Sequence, residues 1–131
     1  MPHVISKEHR FHGYNKLQIV YRKGQTTRSS LMSLKYYENP KRSSYRLAVV
    51  VSRKVHKSAV VRNRIRRRIF ELFRKNEHLF GPFDMIVTVF SEQVAVLPHK
   101  ELEKMIEKQL VAAKILPAKG LNNTSDKSDM V

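Results

Sequence analysis

The stretch that most constrains this chain is residues 62–69, Arg-Asn-Arg-Ile-Arg-Arg-Arg-Ile. Five arginines fall within seven residues, while Ile65 and Ile69 stand four positions apart and therefore share one face of a helix. A helix with so much positive charge repels itself unless a polyanion lies across it. The sequence thus predicts a basic helix that packs on a globular core through its isoleucines and binds nucleic acid through its arginines.

The positive charge of the chain is concentrated around this helix. The net charge is +15, and ten lysines or arginines lie between Arg53 and Lys75 beside a single acid, Glu71. Charge that served solubility alone would be scattered, and a solvated helix usually places Glu at i,i+4 to its cations. Guanidinium groups also form paired hydrogen bonds with phosphate oxygens, which ammonium groups cannot match. The concentration therefore indicates a phosphate-binding surface.

Several function classes are disfavoured by what the sequence lacks. No apolar run reaches the ~18 residues of a membrane span, and residues 1–8 have no apolar signal-peptide core. The chain has no cysteine and its six histidines are not at metal-ligand spacing, so we expect no metal site. The one set that can be nominated for a metal-free nuclease is His12, His56 and Lys57. We instead expect no catalytic residue, a cytoplasmic location and a protein that is monomeric apart from the complex with its nucleic acid.

Hydrophobic periodicity and turn residues predict the order of the secondary structure. The continuous apolar run 47–51 and the run 83–90 each indicate a central strand that is covered on both faces. The predicted elements are a helix Asn15–Lys23 ended by Gly24, a short strand or loop Gln25–Arg28, a strand 31–37, a strand 45–52, a helix capped by Ser58 that runs to about Asn76, a strand 83–90, and a helix from Pro98 that ends before Pro117.

This order is typical of a two-layer α/β (α+β) sandwich with a small mixed four-stranded sheet, in the order α-β-β-β-α-β-α. The basic helix joins two apolar strands, which predicts a βαβ unit that by default is right-handed. We expect one domain over residues 14–116, a flexible segment over 1–13 and a disordered polar tail over 117–131.

The predicted RNA-binding residues combine the helix with the cations just before it. They are Arg53, Lys54, Lys57, Arg62, Asn63, Arg64, Arg66, Arg67 and Arg68.

Three segments of this region resemble the signature of the protein subunit of bacterial ribonuclease P: residues 51–54 (Val-Ser-Arg-Lys), 59–67 (Ala-Val-Val-Arg-Asn-Arg-Ile-Arg-Arg) and 68–71 (Arg-Ile-Phe-Glu). Residues 20–24 and 83–87 stand where that family places the end of its first helix and its last strand. The resemblance covers about residues 10–115. Phe70, where an arginine is common, and Leu17, where an aromatic residue is common, depart from the family pattern.

The resemblance implies a function that charge alone does not give. Such proteins bind a large catalytic RNA, and the complex removes the 5′ leader from precursor tRNA. The RNA and its Mg²⁺ ions perform the hydrolysis, so Mg²⁺ is the implied cofactor and precursor tRNA the implied second partner. By motif match, the contacts to the catalytic RNA or to the substrate near the cleavage site would come from Arg53, Lys54, Arg62, Asn63, Arg66 and Arg67. The resemblance also implies a left-handed βαβ crossover, against the default.

The same resemblance implies that the single-stranded leader lies in a cleft between the first helix and the sheet. A single strand requires aromatic or flat apolar platforms with cations nearby. Tyr21 suits stacking, although core packing would also explain it. The cleft residues predicted on this basis are Leu17, Tyr21, Ser33, Lys35, Val50 and Ser52.

The alternative is a ribosomal or other structural RNA-binding protein, which would bind ribosomal RNA equally well and would not affect precursor cleavage. A helix-turn-helix DNA reader would need a second short helix beside the basic one, where this sequence has a valine-rich strand. A membrane-surface helix needs a broad apolar face with interfacial aromatics. The apolar stripe of the basic helix is instead expected to pack on the sheet.

Overall fold

A computed structural model describes residues 14–117 and contains the predicted elements in the predicted order. The helices are α1 (Tyr14–Lys23), α2 (Ala59–Lys75) and α3 (His99–Ala112). The strands are β1 (Gln25–Arg28), β2 (Met32–Glu38), β3 (Arg46–Val50) and β4 (Phe83–Val89). Two short 3₁₀ helices, Glu77–Leu79 and Glu92–Ala95, were not predicted. The segment predicted to be flexible and nearly all of the predicted tail lie outside the described residues.

The four strands form one mixed sheet in the order β1-β2-β4-β3. The β1–β2 and β2–β4 pairs are antiparallel, whereas β3 and β4 are parallel and are joined through α2. The predicted fold class and the βαβ unit are thus confirmed. The central position predicted for β4 is also confirmed, but the central position predicted for β3 is wrong, because β3 lies at an edge of the sheet.

The apolar run of β3 reflects cover on both of its faces. Leu47 and Val49 belong to the main core beneath α2, while Ala48 packs in a second, smaller cluster with Val20 of α1 and Ile86 of β4. An edge strand with a helix on each face carries the same uninterrupted apolar pattern as a central strand. The apolar run therefore predicted correctly that both faces of β3 are covered, but it predicted incorrectly that β3 is central in the sheet.

The main core lies between one face of the sheet and the helices α2 and α3. The apolar stripe of α2 places Ile65 and Ile69 in this core without measurable exposure, as the four-residue spacing predicts. Leu102 and Leu110 of α3 are equally buried. Because these side chains fix α2 against the sheet, the arginines between the isoleucines must project from the other faces of the helix.

The opposite face of the sheet, called here the α1 face, carries Ser33, Lys35, Ile86, Ala48 and Val50. The strand register places these residues in two neighbouring rows: Ser33, Thr88 and Val50 form one, and Lys35, Ile86 and Ala48 form the other. Helix α1 lies on β2 and β4 and buries Val20 completely. It covers this face only in part, since Lys35, Val50 and Thr88 remain half-buried rather than buried.

The junction between α1 and the sheet depends on Gly24. Its amide donates a hydrogen bond to the carbonyl of Val20 at 2.8 Å, and the next residue begins β1. A Cβ atom at this position would lie 2.5 Å from the Val20 carbonyl oxygen and 2.8 Å from that of Tyr36. Only glycine therefore allows the end of α1 to approach β2 this closely.

A buried polar cluster fixes one end of the α1 face. The Asp84 carboxylate is 1% exposed and accepts two hydrogen bonds from the Arg46 guanidinium, both at 2.8 Å. It also accepts one from the Asn39 amide at 3.0 Å. Because a buried carboxylate must be paired to be tolerated, this bidentate contact ties the start of β3 to the start of β4. The opposite end of the face, where β3 leads into residues 51–58, lacks such a cluster among the described residues.

Candidate nucleic-acid interface

Helix α2 begins with the predicted cap and presents its charge outward. The Ser58 side chain accepts a hydrogen bond from the Val61 amide at 3.3 Å, and the first turn contains no acid. Asn63, Arg64 and Arg67 are exposed, and neither guanidinium has a hydrogen-bond partner among residues 14–117. The positive end of the helix dipole adds to their field. These side chains are therefore available to an anionic ligand.

Two further arginines connect the helix to the loop before it. Arg62 Nη1 donates hydrogen bonds to the carbonyls of His56 at 3.0 Å and Lys57 at 2.9 Å. Arg66 donates to Asn63 Oδ1 at 2.7 Å and to the Val51 carbonyl at 3.3 Å. Each guanidinium has five donors, so these contacts still leave donors for phosphate. The contacts hold the loop and the first half of α2 in one fixed arrangement.

The loop itself carries Arg53, Lys54 and Lys57, all exposed and all without an acidic partner among the described residues. A backbone hydrogen bond from Val55 to Ser52 at 3.0 Å tightens its turn. His56 Nδ1 accepts a hydrogen bond from the Ser58 amide at 3.0 Å, and its Nε2 lies 3.7 Å from a carboxylate oxygen of Glu92. His56 thus orders the loop. Its nominated nuclease partner, His12, lies outside the described residues.

Together these residues form a continuous cationic surface, called here the α2 surface. It comprises Arg53, Lys54, Lys57, Arg62, Asn63, Arg64, Arg66 and Arg67. The structure therefore brings eight of the nine predicted RNA-binding residues together. Their contact with RNA stays a prediction.

Arg68, the ninth predicted residue, turns toward the protein. Its half-buried guanidinium donates to the carbonyls of Val94 at 2.7 Å and Leu97 at 2.5 Å. These carbonyls belong to the Glu92–Ala95 3₁₀ helix and the segment that follows it. Arg68 therefore holds that segment against α2. No sequence pattern signalled this contact, because the 3₁₀ helix was not predicted.

The predicted cleft residues lie around the α1 face with unequal access. Ser33 is only 9% exposed, and Leu17 packs half-buried beside the small cluster. Tyr21 is 46% exposed on α1, Lys35 is half-buried with its Nζ 3.2 Å from Thr26 Oγ1, and Ser52 is exposed just beyond β3. Tyr21, Lys35 and Ser52 are therefore the most accessible of the predicted cleft residues. Val50, at the end of β3, is half-buried. Their contact with a leader stays a prediction.

Sequence reasoning missed one pair on this side of the sheet. The guanidinium carbon of Arg28 lies 5.9 Å from the ring centroid of Phe90, and Phe90 is 46% exposed. Phe90 was assigned to the apolar strand. The alternation from Ile86 through Thr88 already places it on the α1 face, so the period of two could have identified it.

The shifted pKa values lie away from both regions. The hydrogen bond and charge of Glu103 raise the pKa of Lys75, while burial, followed by the charge of Glu103, raises the pKa of Glu107. These groups belong to the contact between the end of α2 and α3. Within residues 14–117, no three acidic or histidine side chains cluster in a way that would hold a metal ion. Nor does any helix there combine the length and apolar character needed to cross a bilayer.

Comparison with known proteins identifies the family of this chain. The sequence model of the Ribonuclease P family matches residues 5–114. The chain belongs to the ribonuclease P protein family. Family membership assigns it to tRNA processing and RNA binding as a protein subunit of that ribonuclease.

Individual ribonuclease P proteins are similar over most of their length. The chain is 36% identical over 99 residues to the ribonuclease P protein component of Pseudanabaena sp., covering 74% of this chain and 84% of that protein. It is 31% identical over 104 residues to that of Blochmanniella floridana, covering 79% and 86%. The solved structure of a Staphylococcus aureus RNase P protein mutant with defective mRNA degradation activity superposes with a TM-score of 0.76 at 25% identity, covering 84% of this chain and 92% of that one. The RNase P protein from Thermotoga maritima, at 19% identity and a TM-score of 0.67, shares the fold; the match covers 76% of this chain and 94% of that one.

Proposed function

We propose that this chain binds the catalytic RNA of ribonuclease P through the α2 surface and holds the 5′ leader of precursor tRNA on the α1 face. In this proposal the RNA component, with its bound Mg²⁺, carries out the hydrolysis. The protein contributes affinity and position. It assembles the complex and keeps the leader extended beside the cleavage site.

The observation that carries the proposal is the fixed junction between the basic loop and α2. Because Arg62 and Arg66 bond to carbonyls of residues 51–57, the loop cations and the helix cations form one surface without first having to be ordered. A folded RNA presents a dense array of phosphates, and a preorganised set of guanidinium groups binds such an array with little entropic cost. Counterions released from the phosphates make this binding strongly dependent on salt.

The second half of the proposal follows from the position of the α1 face next to that surface. Val51, whose carbonyl accepts from Arg66, directly follows Val50 of the α1 face. A strand of RNA leaving a site on the α2 surface would therefore meet Ser52 and Val50 first, and then Lys35 and Tyr21. This mixture of an exposed ring, an ammonium group and hydroxyls suits single-stranded RNA better than a duplex.

Reconstitution with a bacterial ribonuclease P RNA tests the proposal. We expect the protein to increase 5′ leader removal from precursor tRNA at low Mg²⁺, and to show no cleavage in the absence of the RNA. A matched titration with ribosomal RNA fragments distinguishes the alternative. Equal affinity for ribosomal RNA together with unchanged precursor cleavage would favour a general structural RNA binder, and cleavage by the protein alone would contradict the assignment of catalysis to the RNA.

A further inference from the structure

Arg28 and Phe90 form an exposed pair at the end of the α1 face that lacks the Asp84 cluster. Arg28 pairs with Ser33 across β1 and β2, and directly opposite residues project from the same face of a sheet. The distance of 5.9 Å between its guanidinium carbon and the Phe90 ring centroid is that of a cation–π contact. Nearly half of Phe90 is nonetheless exposed, so the contact leaves much of the residue open to solvent.

The backbone around this pair is held by a small set of hydrogen bonds. Ser29 Oγ accepts from the amides of Leu31 at 3.4 Å and Met32 at 3.2 Å, which fixes the turn directly after Arg28. The Phe90 amide donates to the carbonyl of Leu31 in that same turn at 2.7 Å. In the residue directly after Phe90, Ser91 Oγ accepts from the Gln93 amide at 3.1 Å. One turn therefore positions both members of the pair.

The pair also continues the set of residues already assigned to the leader. Arg28 belongs to the row of Ser33 and Thr88, Phe90 stands two residues beyond Thr88, and Lys35 lies in the following row. Moving along the face, a ligand would meet an aromatic ring with a guanidinium group, then the half-buried side chain of Thr88, then an ammonium group. Alternation of a stacking surface with cations is how proteins bind unpaired nucleic acid. Among residues 14–117, no carboxylate pairs with Arg28 to neutralise it.

We propose that Phe90 stacks on an unpaired base of the precursor leader, while Arg28 braces the ring and binds a neighbouring phosphate. This inference rests on the proposed function and extends its site by one aromatic platform. The occupant is single-stranded RNA, because a stacked base needs access to the face of the ring, which a paired and stacked duplex does not give.

The test uses the holoenzyme with precursor tRNAs in which 2-aminopurine replaces one leader nucleotide at a time. We expect one leader position whose fluorescence is quenched on binding, and we expect Phe90→Ala to abolish that quenching. Phe90→Ala should also weaken binding of leader-bearing precursor about fivefold, with mature tRNA unchanged. Phe90→Leu should resemble Phe90→Ala, because it keeps apolar volume without a π surface, whereas Phe90→Trp should retain the quenching.

Leu79→Ala provides the matched control, since Leu79 is 47% exposed and lies on the Glu77–Leu79 3₁₀ helix away from the α1 face.

Unchanged quenching and affinity in Phe90→Ala, with a loss in Tyr21→Ala, would overturn this inference and leave the leader site intact. An equal loss for precursor and mature tRNA would also overturn it, because the ring would then serve another RNA segment. If neither Phe90 nor Tyr21 affects leader binding, the assignment of the α1 face falls as well. If Phe90→Ala does not fold, the comparison of Phe90→Leu with Phe90→Trp decides the same question.

Discussion

The α2 surface and the α1 face differ in the chemistry of their exposed side chains. The α2 surface is almost wholly cationic, and its guanidinium groups are ordered by carbonyls of the preceding loop. The α1 face mixes apolar, hydroxyl and aromatic groups with a few cations, and a single helix covers part of it. The proposed function gives the two regions different tasks: the charge of the α2 surface would bind a folded RNA, and stacking on the α1 face would hold a single strand.

Affinity for RNA and preference for a single-stranded leader can be measured separately, whereas an assay of activity alone would combine them. Contacts with phosphate change affinity for all RNA alike and change its salt dependence, whereas stacking contacts change the preference for a free strand and respond weakly to salt. Variants of the two regions should therefore differ in kind as well as in size.

The largest effect is expected from removing the two exposed arginines that lack protein partners among the described residues. Arg64→Ala with Arg67→Ala should weaken binding of the catalytic RNA roughly thirtyfold, at about 1 kcal/mol for each guanidinium removed. The plot of log affinity against log salt should become shallower by roughly one unit for each phosphate that is no longer neutralised. The free energy of unfolding should stay the same. Filter binding across a salt series and chemical denaturation measure these quantities.

Lys100→Ala with Lys104→Ala is the control for charge, because both lysines are exposed on α3 and the change in net charge is identical. If this control weakens RNA binding as much as the arginine variant does, net charge rather than the α2 surface governs binding.

An intermediate effect, on stability rather than on binding, is expected at Arg68. Arg68→Ala removes two charged hydrogen bonds and leaves the Val94 and Leu97 carbonyls without this donor, which should lower the free energy of unfolding by about 2 kcal/mol. Urea denaturation provides the measurement. Arg64→Ala, one helical turn earlier and exposed, should leave unfolding unchanged. Equal stability of the two variants would show that Arg68 is not a structural arginine.

The smallest effect is expected from Tyr21. Tyr21→Ala should weaken binding of precursor tRNA about fivefold, because an exposed aromatic ring that stacks on a base contributes about 1 kcal/mol. Mature tRNA should bind as before, and the salt dependence should not change. Competition binding of precursor against mature tRNA measures the preference.

Ile19→Ala is the matched control on the same helix, since Ile19 is 37% exposed and points about 200° away from Tyr21. Equal losses for precursor and mature tRNA in Tyr21→Ala would remove Tyr21 from the leader site.

Much of the fold was predictable because it is encoded locally. The four-residue spacing of Ile65 and Ile69, the cap at Ser58 and the stop at Gly24 each specify a helix end or a buried face without reference to distant residues. The concentration of arginines predicted a cationic surface for the same reason. The resemblance added the partner RNA and the cleft, which no local pattern contains.

What escaped prediction depends on contacts between distant segments. The edge position of β3 follows from how the strands pair, and an apolar run cannot report it when helices cover both faces. Arg68 was grouped with its neighbours because its carbonyl partners lie more than twenty residues away, in and just after a 3₁₀ helix with no periodic signal. The Arg28–Phe90 pair likewise joins two strands that are not adjacent in the sheet.

The backbone contact at Gly24 has a consequence for how this protein can diverge. Any Cβ atom at this position would clash with the main-chain oxygens of Val20 and Tyr36, which every side-chain substitution at those two positions retains. Substitutions elsewhere on the α1 face can therefore accumulate without ever relaxing the requirement for glycine at this junction.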